Sequence, residues 1–367
     1  MKEKREGFRN KKSIKVVIIL SIVLIFLFSR EGFREKAANL ISSFGNVEKT
    51  FKVEKTIPYD FESNSMKVYG DIIVNWDGEK IFAVNTDGKE MWRKNVTFEN
   101  PIVLLGENYI YMCEGTTGDL YYLDFEGRLL HRYEANDVIT GIVENGQNLI
   151  LLFNGVENEK VNIIDGSGKL IANTLIEGKR VTSCCVNEEE STFSTATMGL
   201  GGDEITSELI LYKISGQKIG SLIFKDQIII FSKFVSSDKL VALTEKGLYF
   251  IKDESILWQK DIERIKDIYI DTVENRIYLL YGDTMESISF NGKTDKKISL
   301  ADEYNKIVKF QDNILVVGDE NILGFNNGEE MLKYKSEEEI KKVLANEKNI
   351  VMFTEGKVKT MSMINKK

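Results

Sequence analysis

The chain has 367 residues, of which 43% are hydrophobic, so it can build a substantial core. The whole chain has 49 basic and 57 acidic side chains. Residues 1–29 carry seven of the basic and two of the acidic ones, which gives this segment a net charge of +5. The remainder is therefore strongly acidic, with 42 basic and 55 acidic residues. Such a domain repels phosphate backbones, which argues against nucleic acid as a partner.

Three cysteines and a single histidine, His131, limit the chemistry open to the chain. The low, odd cysteine count is not that of a disulfide scaffold. With one histidine, a multi-histidine metal site cannot form within one chain, and a histidine-based catalytic triad would have to use His131.

The first element in chain order is a hydrophobic segment. Residues 16–28 are apolar with one exception, and Lys15 can snorkel to the lipid headgroups, which lengthens the span. The basic cluster before it predicts a cytoplasmic tail (1–12), a transmembrane helix (13–29), a helical stalk (30–44) and an extracytoplasmic remainder. No A-x-A cleavage site follows directly, which favours an uncleaved single-pass anchor in the cell membrane; a cleaved secretion signal is the alternative.

From residue 66 onward, short apolar segments alternate with turns that come in pairs. The first turns of the pairs lie at residues 77–78, 114–115, 154–155, 201–202, 246–247, 282–283, 318–319 and 355–356. The second turns are centred on Gly88, Gly127, Gly168, Gly216, Glu254, Gly292 and Gly328. The second turns step by 39, 41, 48, 38, 38 and 36 residues, a period that matches one four-stranded propeller blade per repeat.

The repeat predicts an all-β fold, an eight-bladed β-propeller over residues 45–367, with seven blades as the alternative. Runs such as Leu149–Phe153 and Ile314–Val317 lack polar alternation, which indicates burial on both faces between stacked blades. Residues 47–56 can supply the outer strand that the last repeat lacks and so close the ring. The segment Ser336–Leu344 does not fit this repeat, because it has a capping box and helical spacing at the place where an inner strand is expected.

The sequence Asp87-Gly88-Lys89-Glu90-Met91-Trp92 resembles the repeat signature of quinoprotein-type (PQQ-like) propellers, in which a tryptophan follows a D-G-K turn on the outer strand. A weaker copy ends in Trp258, and other repeats keep the glycine but lack the tryptophan. The arrangement also resembles a family of uncharacterised, membrane-anchored propeller proteins of low-GC Gram-positive bacteria, which implies the fold but no activity. A structural role in the repeat is expected for Gly88, Trp92, Gly127, Gly168, Gly216, Trp258, Gly292 and Gly328.

Cys184 and Cys185 are the pair that the resemblance makes chemically interesting, since some quinoprotein alcohol dehydrogenases carry an adjacent-cysteine disulfide over their cofactor. Neighbouring side chains in a strand point to opposite faces, so the residues themselves favour two core thiols in an inner strand, Val181–Val186. His131 follows a second turn in the position that Trp92 holds in the first repeat, and we interpret it as a repeat residue. No cofactor, metal or catalytic residue is predicted.

Acidic residues in the first turns are expected to share one rim of the propeller. These are Asp77, Asp203, Glu204, Asp283, Asp319 and Glu355. They could hold Ca²⁺ or face a basic partner, but none has EF-hand spacing, and a solvated surface is the default interpretation. The fourth repeat is the longest, and its first hairpin over 191–204 is either a binding loop or a tolerated insertion.

These observations favour a non-catalytic, membrane-tethered propeller that binds an envelope protein or cell-surface ligand. A quinone- or metal-dependent oxidoreductase that uses Cys184 and Cys185 is the first alternative. A sensory ectodomain that acts through a membrane partner is the second, because residues 1–12 are too few for a folded output domain.

Overall fold

The computed structural model of the chain describes residues 48–59, 65–155, 157–201 and 204–366. The predicted tail, transmembrane helix and stalk, residues 1–44, lie outside this part. Among the described residues, no helix has the length and hydropathy that a membrane span requires.

The described residues form 32 strands and no helix. The first eight are β1 (Lys49–Pro58), β2 (Ser65–Tyr69), β3 (Ile72–Trp76), β4 (Lys80–Asn85), β5 (Glu90–Asn95), β6 (Pro101–Leu105), β7 (Ile110–Glu114) and β8 (Asp119–Leu123). The next are β9 (Leu129–Glu134), β10 (Ile139–Asn145), β11 (Asn148–Asn154), β12 (Asn158–Ile164), β13 (Leu170–Glu177), β14 (Arg180–Val186), β15 (Thr192–Gly201) and β16 (Glu204–Lys213). Then follow β17 (Lys218–Lys225), β18 (Ile229–Phe234), β19 (Lys239–Thr244), β20 (Gly247–Lys252), β21 (Ser255–Asp261), β22 (Ile265–Asp271), β23 (Arg276–Tyr281) and β24 (Thr284–Ser289). The last are β25 (Thr294–Ser299), β26 (Lys306–Phe310), β27 (Asn313–Val317), β28 (Asn321–Asn326), β29 (Glu329–Lys335), β30 (Lys342–Ala345), β31 (Ile350–Thr354) and β32 (Lys357–Asn365).

Six antiparallel sheets each contain four consecutive strands, beginning with β2–β5 and ending with β22–β25. A seventh sheet has eight strands in the order β26-β27-β28-β29-β1-β32-β31-β30, which is two runs of four joined at their outer strands β29 and β1. We number the four-strand groups blades 1 to 8, from β2–β5 to β30–β32 with β1, and name their strands A to D from the inside outward. The all-β propeller is confirmed, and the count is seven or eight according to whether the joined sheet is one blade or two.

The ring closes through the contact of inner strands and through β1. Inner strands of neighbouring blades contact one another, as β2 contacts β6 and β22 contacts β26, and β30 of blade 8 lies against β2 of blade 1. As predicted from residues 47–56, β1 supplies the outer strand beside β32. The Thr50 hydroxyl also donates to the Lys333 carbonyl of β29 at 3.0 Å, which ties blade 8 to blade 7.

The chain divides into two compact units, residues 50–364 and a smaller unit of residues 1–49 and 365–367. In the described part of the smaller unit, the backbone N–H of Lys366 donates to the Glu48 carbonyl at 2.7 Å. The Lys366 ammonium lies 2.9 Å from the Glu48 carboxylate.

The segment Ser336–Leu344 contains no helix. The Ser336 hydroxyl accepts the backbone N–H of Glu338 at 3.2 Å, which forms a tight turn where a capping box was expected. The chain then enters β30, where Val343 pairs with Met352. Pairing with β31 satisfies this backbone in a sheet, so tertiary context overrides the helical spacing.

The core consists of apolar layers between neighbouring blades. All five residues of β27 are buried, and β11 is buried along most of its length, as the runs of β-forming residues predicted. The layer between blades 8 and 1 joins Val351 and Phe353 to Ile73 and Phe82. Because every blade is covered on both faces, the ring is a rigid support for its loops.

Candidate functional site

The predicted turns fall into two structural classes, each on its own rim. All eight first turns connect strands B and C of a blade, and all seven second turns connect strands C and D. Since antiparallel strands alternate in direction, B–C turns share a rim with the D–A links between blades. Gly115 shows this sharing, because its N–H donates to the Asn100 carbonyl and its carbonyl accepts the N–H of Ile139, both at 2.8 Å. We call the two sides the B–C rim and the C–D rim.

The Asp77 side chain is hydrogen-bonded within its own turn on the B–C rim. Its carboxylate accepts the backbone N–H groups of Glu79 at 3.0 Å and Lys80 at 2.9 Å. Partial burial by itself raises the pKa of Asp77, but these bonds and the Lys80 ammonium at 3.3 Å outweigh it and leave the pKa below its ordinary value. Asp77 therefore stabilises the turn and is not free to bind a ligand.

The other predicted acids are spread around the same rim. Asp203 lies outside the described residues. The remaining predicted acids are exposed, and they are Glu204, Asp283, Asp319 and Glu355. The backbone carbonyls of Asp283 and Asp319 accept the N–H groups of Leu300 at 2.7 Å and Ile340 at 2.6 Å, so these turns hold the D–A links. Within the described ranges, no group of three or more His, Cys, Asp or Glu side chains is placed to hold a metal ion.

Blade 4 departs from the repeat on the B–C rim. Strands β15 and β16 have ten residues each, whereas the B strands of the other blades have five to seven. On one side β14 pairs with β15 only as far as Met198, and on the other β17 pairs with β16 only from Thr206. The hairpin between Met198 and Thr206 therefore extends beyond its own blade without flanking strands, as the length of the fourth repeat predicted.

A cleft of about 960 Å³ lies beside this hairpin, against blade 3. Its lining residues are Glu157, Asn158, Glu177, Gly178, Lys179, Arg180, Met198, Gly199 and Ile205. The hairpin contributes the apolar side chains, and the β11–β12 turn and β13–β14 link contribute the charged ones. None of these residues was predicted as a site residue; the 48-residue step of this repeat is the signal that pointed to the region.

The positive charge of the lysine in this cleft is neutralised by a neighbouring carboxylate. Lys179 pairs with the Glu208 carboxylate, which also lies 3.2 Å from Lys218. Burial by itself raises the pKa of Glu208, but hydrogen bonds from Lys179, Ser221 and Lys218 outweigh it and lower the pKa to about 2.

The arginine of the cleft is neutralised in the same way. The Arg180 guanidinium lies 3.1 Å from Glu159 and donates to the Gly155 carbonyl at 3.4 Å. Glu157 and Glu177, by contrast, have no ion pair within the described part of the chain. The cleft therefore presents uncompensated negative charge beside exposed apolar surface.

Cys184 and Cys185 lie on strand β14 and are buried free thiols. Cys184 packs with Ile163 between blades 3 and 4, and Cys185 packs with Ile229 between blades 4 and 5. Burial raises the pKa of both thiols. The two side chains thus lie on opposite faces of the strand, as predicted for core residues, and a thiolate is disfavoured at both positions.

The predicted repeat residues are joined across blade boundaries on the C–D rim. The Trp92 indole N–H of blade 1 donates to the Phe125 carbonyl of blade 2 at 3.0 Å, and Trp258 of blade 5 donates to the Phe290 carbonyl of blade 6 at 2.9 Å. A methyl group added at Gly127 would lie 2.8 Å from the Trp92 indole, so only glycine fits beneath the ring.

The same position is occupied by other residues in other blades. His131 pairs with Tyr122 of β8 in the register in which Trp92 pairs with Ala83 of β4, so its interpretation as a repeat residue is confirmed. Between blades 8 and 1, Ile57 of β1 takes this place against Gly88.

Comparison with solved structures defines the class as a β-propeller. The chain is similar to BamB from Moraxella catarrhalis, at 10% identity with a TM-score of 0.56, over 85% of this chain and 99% of that one. It is similar to the C-terminal WD40 domain of Sif2, at 14% identity with a TM-score of 0.61, over 86% of this chain and 99% of that one. At such low identity the likeness establishes the fold alone.

Residues 46–363 match a family of unknown function, DUF5711, and since this match spans most of the chain, the protein belongs to that family. No curated protein sequence matches the chain.

Proposed function

We propose that this protein is a membrane-anchored, extracytoplasmic, eight-bladed β-propeller that binds an envelope protein at the cleft beside the β15–β16 hairpin and catalyses no reaction. The observation that carries the proposal is this cleft, about 960 Å³ between an extended hairpin and a neighbouring blade on the B–C rim. Loops on a rigid scaffold are where binding surfaces are usually found.

Eight blades are supported by the composition of the joined sheet. Each half, β26–β29 and β30–β32 with β1, has four strands in the A-to-D order of the other blades. The pairing of β29 with β1 joins two complete blades and does not remove one.

The chemistry of the cleft favours a basic, partly apolar partner segment. Glu157 and Glu177 can receive lysine or arginine side chains, while Met198 and Ile205 offer apolar contact. Ile205 has 41% of its surface exposed, on the unflanked part of the hairpin. A cleft that combines apolar contact with uncompensated charge is suited to recognition by complementarity.

The proposed cellular location rests on the N-terminal sequence. The apolar segment within 13–29 and the basic residues before it support a single-pass anchor with the propeller outside the cytoplasm. Alkaline phosphatase fused after Lys367 is expected to be active, as it is only outside the cytoplasm. An inactive fusion, with an active fusion to a secreted carrier as control, would contradict this location.

Photo-crosslinking in cells tests partner binding. A photoreactive phenylalanine at Ile205 is placed in the cleft, and the same residue at Ile256, on outer strand β21, is the matched control because the two are 41% and 42% exposed. We expect one or a few envelope proteins to crosslink at Ile205 and not at Ile256. Glu157→Lys with Glu177→Lys is expected to reduce the yield several-fold; equal yields at both sites would refute the cleft as the interface.

A further inference from the structure

The position filled by tryptophan at two blade junctions has three parts, which we call the docking slot. They are the D-strand residue, the C-strand residue with which it pairs, and the C–D turn of the next blade. At the junction of blades 5 and 6, Trp258 pairs with Phe250 and stacks on it, with ring centroids 5.3 Å apart. Phe290 and Gly292 supply the turn, and a methyl group added at Gly292 would lie 2.9 Å from the indole.

The junction of blades 6 and 7 has the same backbone arrangement without the aromatic rings. Lys296 of β25 pairs with Ser287 in the register in which Trp258 pairs with Phe250. A methyl group added at Gly328 would overlap the aliphatic stem of Lys296, so Lys296 stands over the turn glycine as the indole does elsewhere.

The missing rings leave a cavity of about 280 Å³ in this slot. Serine stands where Phe250 stands in blade 5, and Asn326 takes the place of Phe290 two residues before the turn glycine. The floor is apolar and buried, formed by Met285, Ile314 and Phe325. The cavity is therefore lined for an apolar ring that the chain itself does not provide.

The mouth of the cavity is open and polar. Asp312 and Asn327 are exposed beside it, and the Glu274 carboxylate accepts the Tyr278 hydroxyl at 2.9 Å at its edge. Lys296 is exposed and has no ion pair or hydrogen bond in the described part of the chain, so its stem can leave the slot at small cost. Carboxylates at the mouth can accept an N–H group from a ring that enters.

We infer that this slot binds the side chain of a tryptophan from a partner protein, in the way that Trp92 and Trp258 bind within the chain. The inference rests on the proposed function in that the tryptophan comes from a bound protein. The chain itself indicates the occupant, because the same strand register and turn glycine hold an indole at two other junctions. Tryptophan is also one of the three side chains enriched among residues that dominate binding energy at protein interfaces.

The test uses the purified full-length chain and N-acetyltryptophanamide as the probe, with binding measured by saturation-transfer NMR. We expect saturation of the indole protons in the wild-type protein. Lys296→Trp, which fills the slot from within, is expected to reduce the signal at least fivefold and to raise the melting temperature. Lys293→Trp, at an exposed position in the C–D turn of blade 6 and outside the lining of the cavity, is the matched control and is expected to leave both unchanged.

A second variant keeps the test decisive if Lys296→Trp does not fold. Lys296→Ala removes the stem that covers Gly328, and it is expected to increase probe binding several-fold. No saturation in wild type, or equal saturation in wild type and both Lys296 variants, overturns the inference. Stronger binding of N-acetylargininamide than of the tryptophan probe also overturns it, because the slot would then be a cation site at Glu274 and Asp312.

The result is separable from the proposed function. Probe binding at the slot with no envelope protein crosslinked at Ile205 would contradict the proposed interface and leave the slot chemistry standing. Crosslinking at Ile205 with no probe binding would overturn the slot and leave the proposed function standing.

Discussion

Two adjacent junctions of the ring, between blades 5 and 6 and between blades 6 and 7, have the same strand pairing but different side-chain contacts. The first is fastened by Trp258 and by the Lys260 ammonium, 2.9 Å from the fully buried Glu286 carboxylate. Glu286 also accepts hydroxyl groups from Tyr281 and Thr294, each at 2.6 Å.

At the second junction the corresponding side chains are Lys296 and Ile298. Ile298 packs in the apolar layer between the blades, and the lysine ammonium is left in solvent. The inner strands of the second junction are still joined by charge, because Lys309 of β26 lies 3.2 Å from the buried Asp271 carboxylate of β22. The comparison teaches that the outer strand of a junction can do without a polar anchor of its own. An outer strand without such an anchor can retain space for a ligand.

The largest expected effect is the loss of the cation at the first junction. Lys260→Met leaves the buried Glu286 carboxylate without its counter-charge and is expected to destabilise the fold by about 3 kcal/mol, as for other broken buried pairs. Urea denaturation measures the change. Lys293→Met, in an exposed turn, is the control with an expected change near zero. A loss below about 1 kcal/mol for Lys260→Met would show that the Lys260–Glu286 pair does not anchor the outer strand of the first junction.

The tryptophan of the first junction comes next. Trp258→Ala removes the ring from Phe250 and Gly292 and is expected to cost about 2 kcal/mol, less than for a core tryptophan because the indole is partly exposed. Lys296→Ala at the second junction is expected to cost less than about 0.5 kcal/mol. Thermal unfolding of both variants compares the junctions directly, and equal losses would remove the distinction.

The pH dependence of the first junction follows from Glu286. Burial by itself raises the pKa of this carboxyl, but hydrogen bonds from Thr294, Tyr281 and Lys260 outweigh it, so the pKa in the folded protein lies below 4.5. Stability from this group is complete above the ordinary glutamate pKa and is lost as pH falls through the lowered value.

The stability difference between wild type and Glu286→Gln is therefore expected to shrink on acidification, by at most about 1.4 kcal/mol per pH unit. Urea denaturation at a series of pH values from neutral to about pH 3 measures it. A difference that stays constant over this range would contradict the lowered pKa.

The smallest effect extends the comparison to the junction of blades 2 and 3. His131 holds the docking position there, and no atom lies within 4 Å of a methyl group added at Gly168. His131→Trp is expected to stabilise the fold by about 1 kcal/mol through ring contact with Tyr122. Leu130→Trp, on the adjacent exposed position, is the control in the same thermal-unfolding experiment, and equal effects of the two would contradict a filled slot.

Much of the ring could be predicted because its signals are local. Turns such as Asp87-Gly88 and Asn291-Gly292 need a positive φ that glycine adopts without strain, so they mark six of the seven C–D hairpins independently of the fold. The long fourth repeat likewise pointed to the projecting hairpin.

The acidic first turns gave a less useful prediction. Their shared rim follows from alternating strand direction, but Asp77 serves its own turn and the other described acids are dispersed. The cleft residues Glu157 and Glu177 were missed because two different loops bring them together.

The amino-acid sequence by itself determined the repeat, the strand order and the closing outer strand, since turn chemistry and unbroken apolar runs are local signals and their period follows from counting them along the chain. Tertiary structure alone decided the strand at Lys342–Ala345, the docking of Trp92 on a carbonyl 33 residues away, and the open slot at Lys296. Each of these depends on contacts between neighbouring strands or blades, whose energies outweigh local preference and leave no local pattern in the sequence.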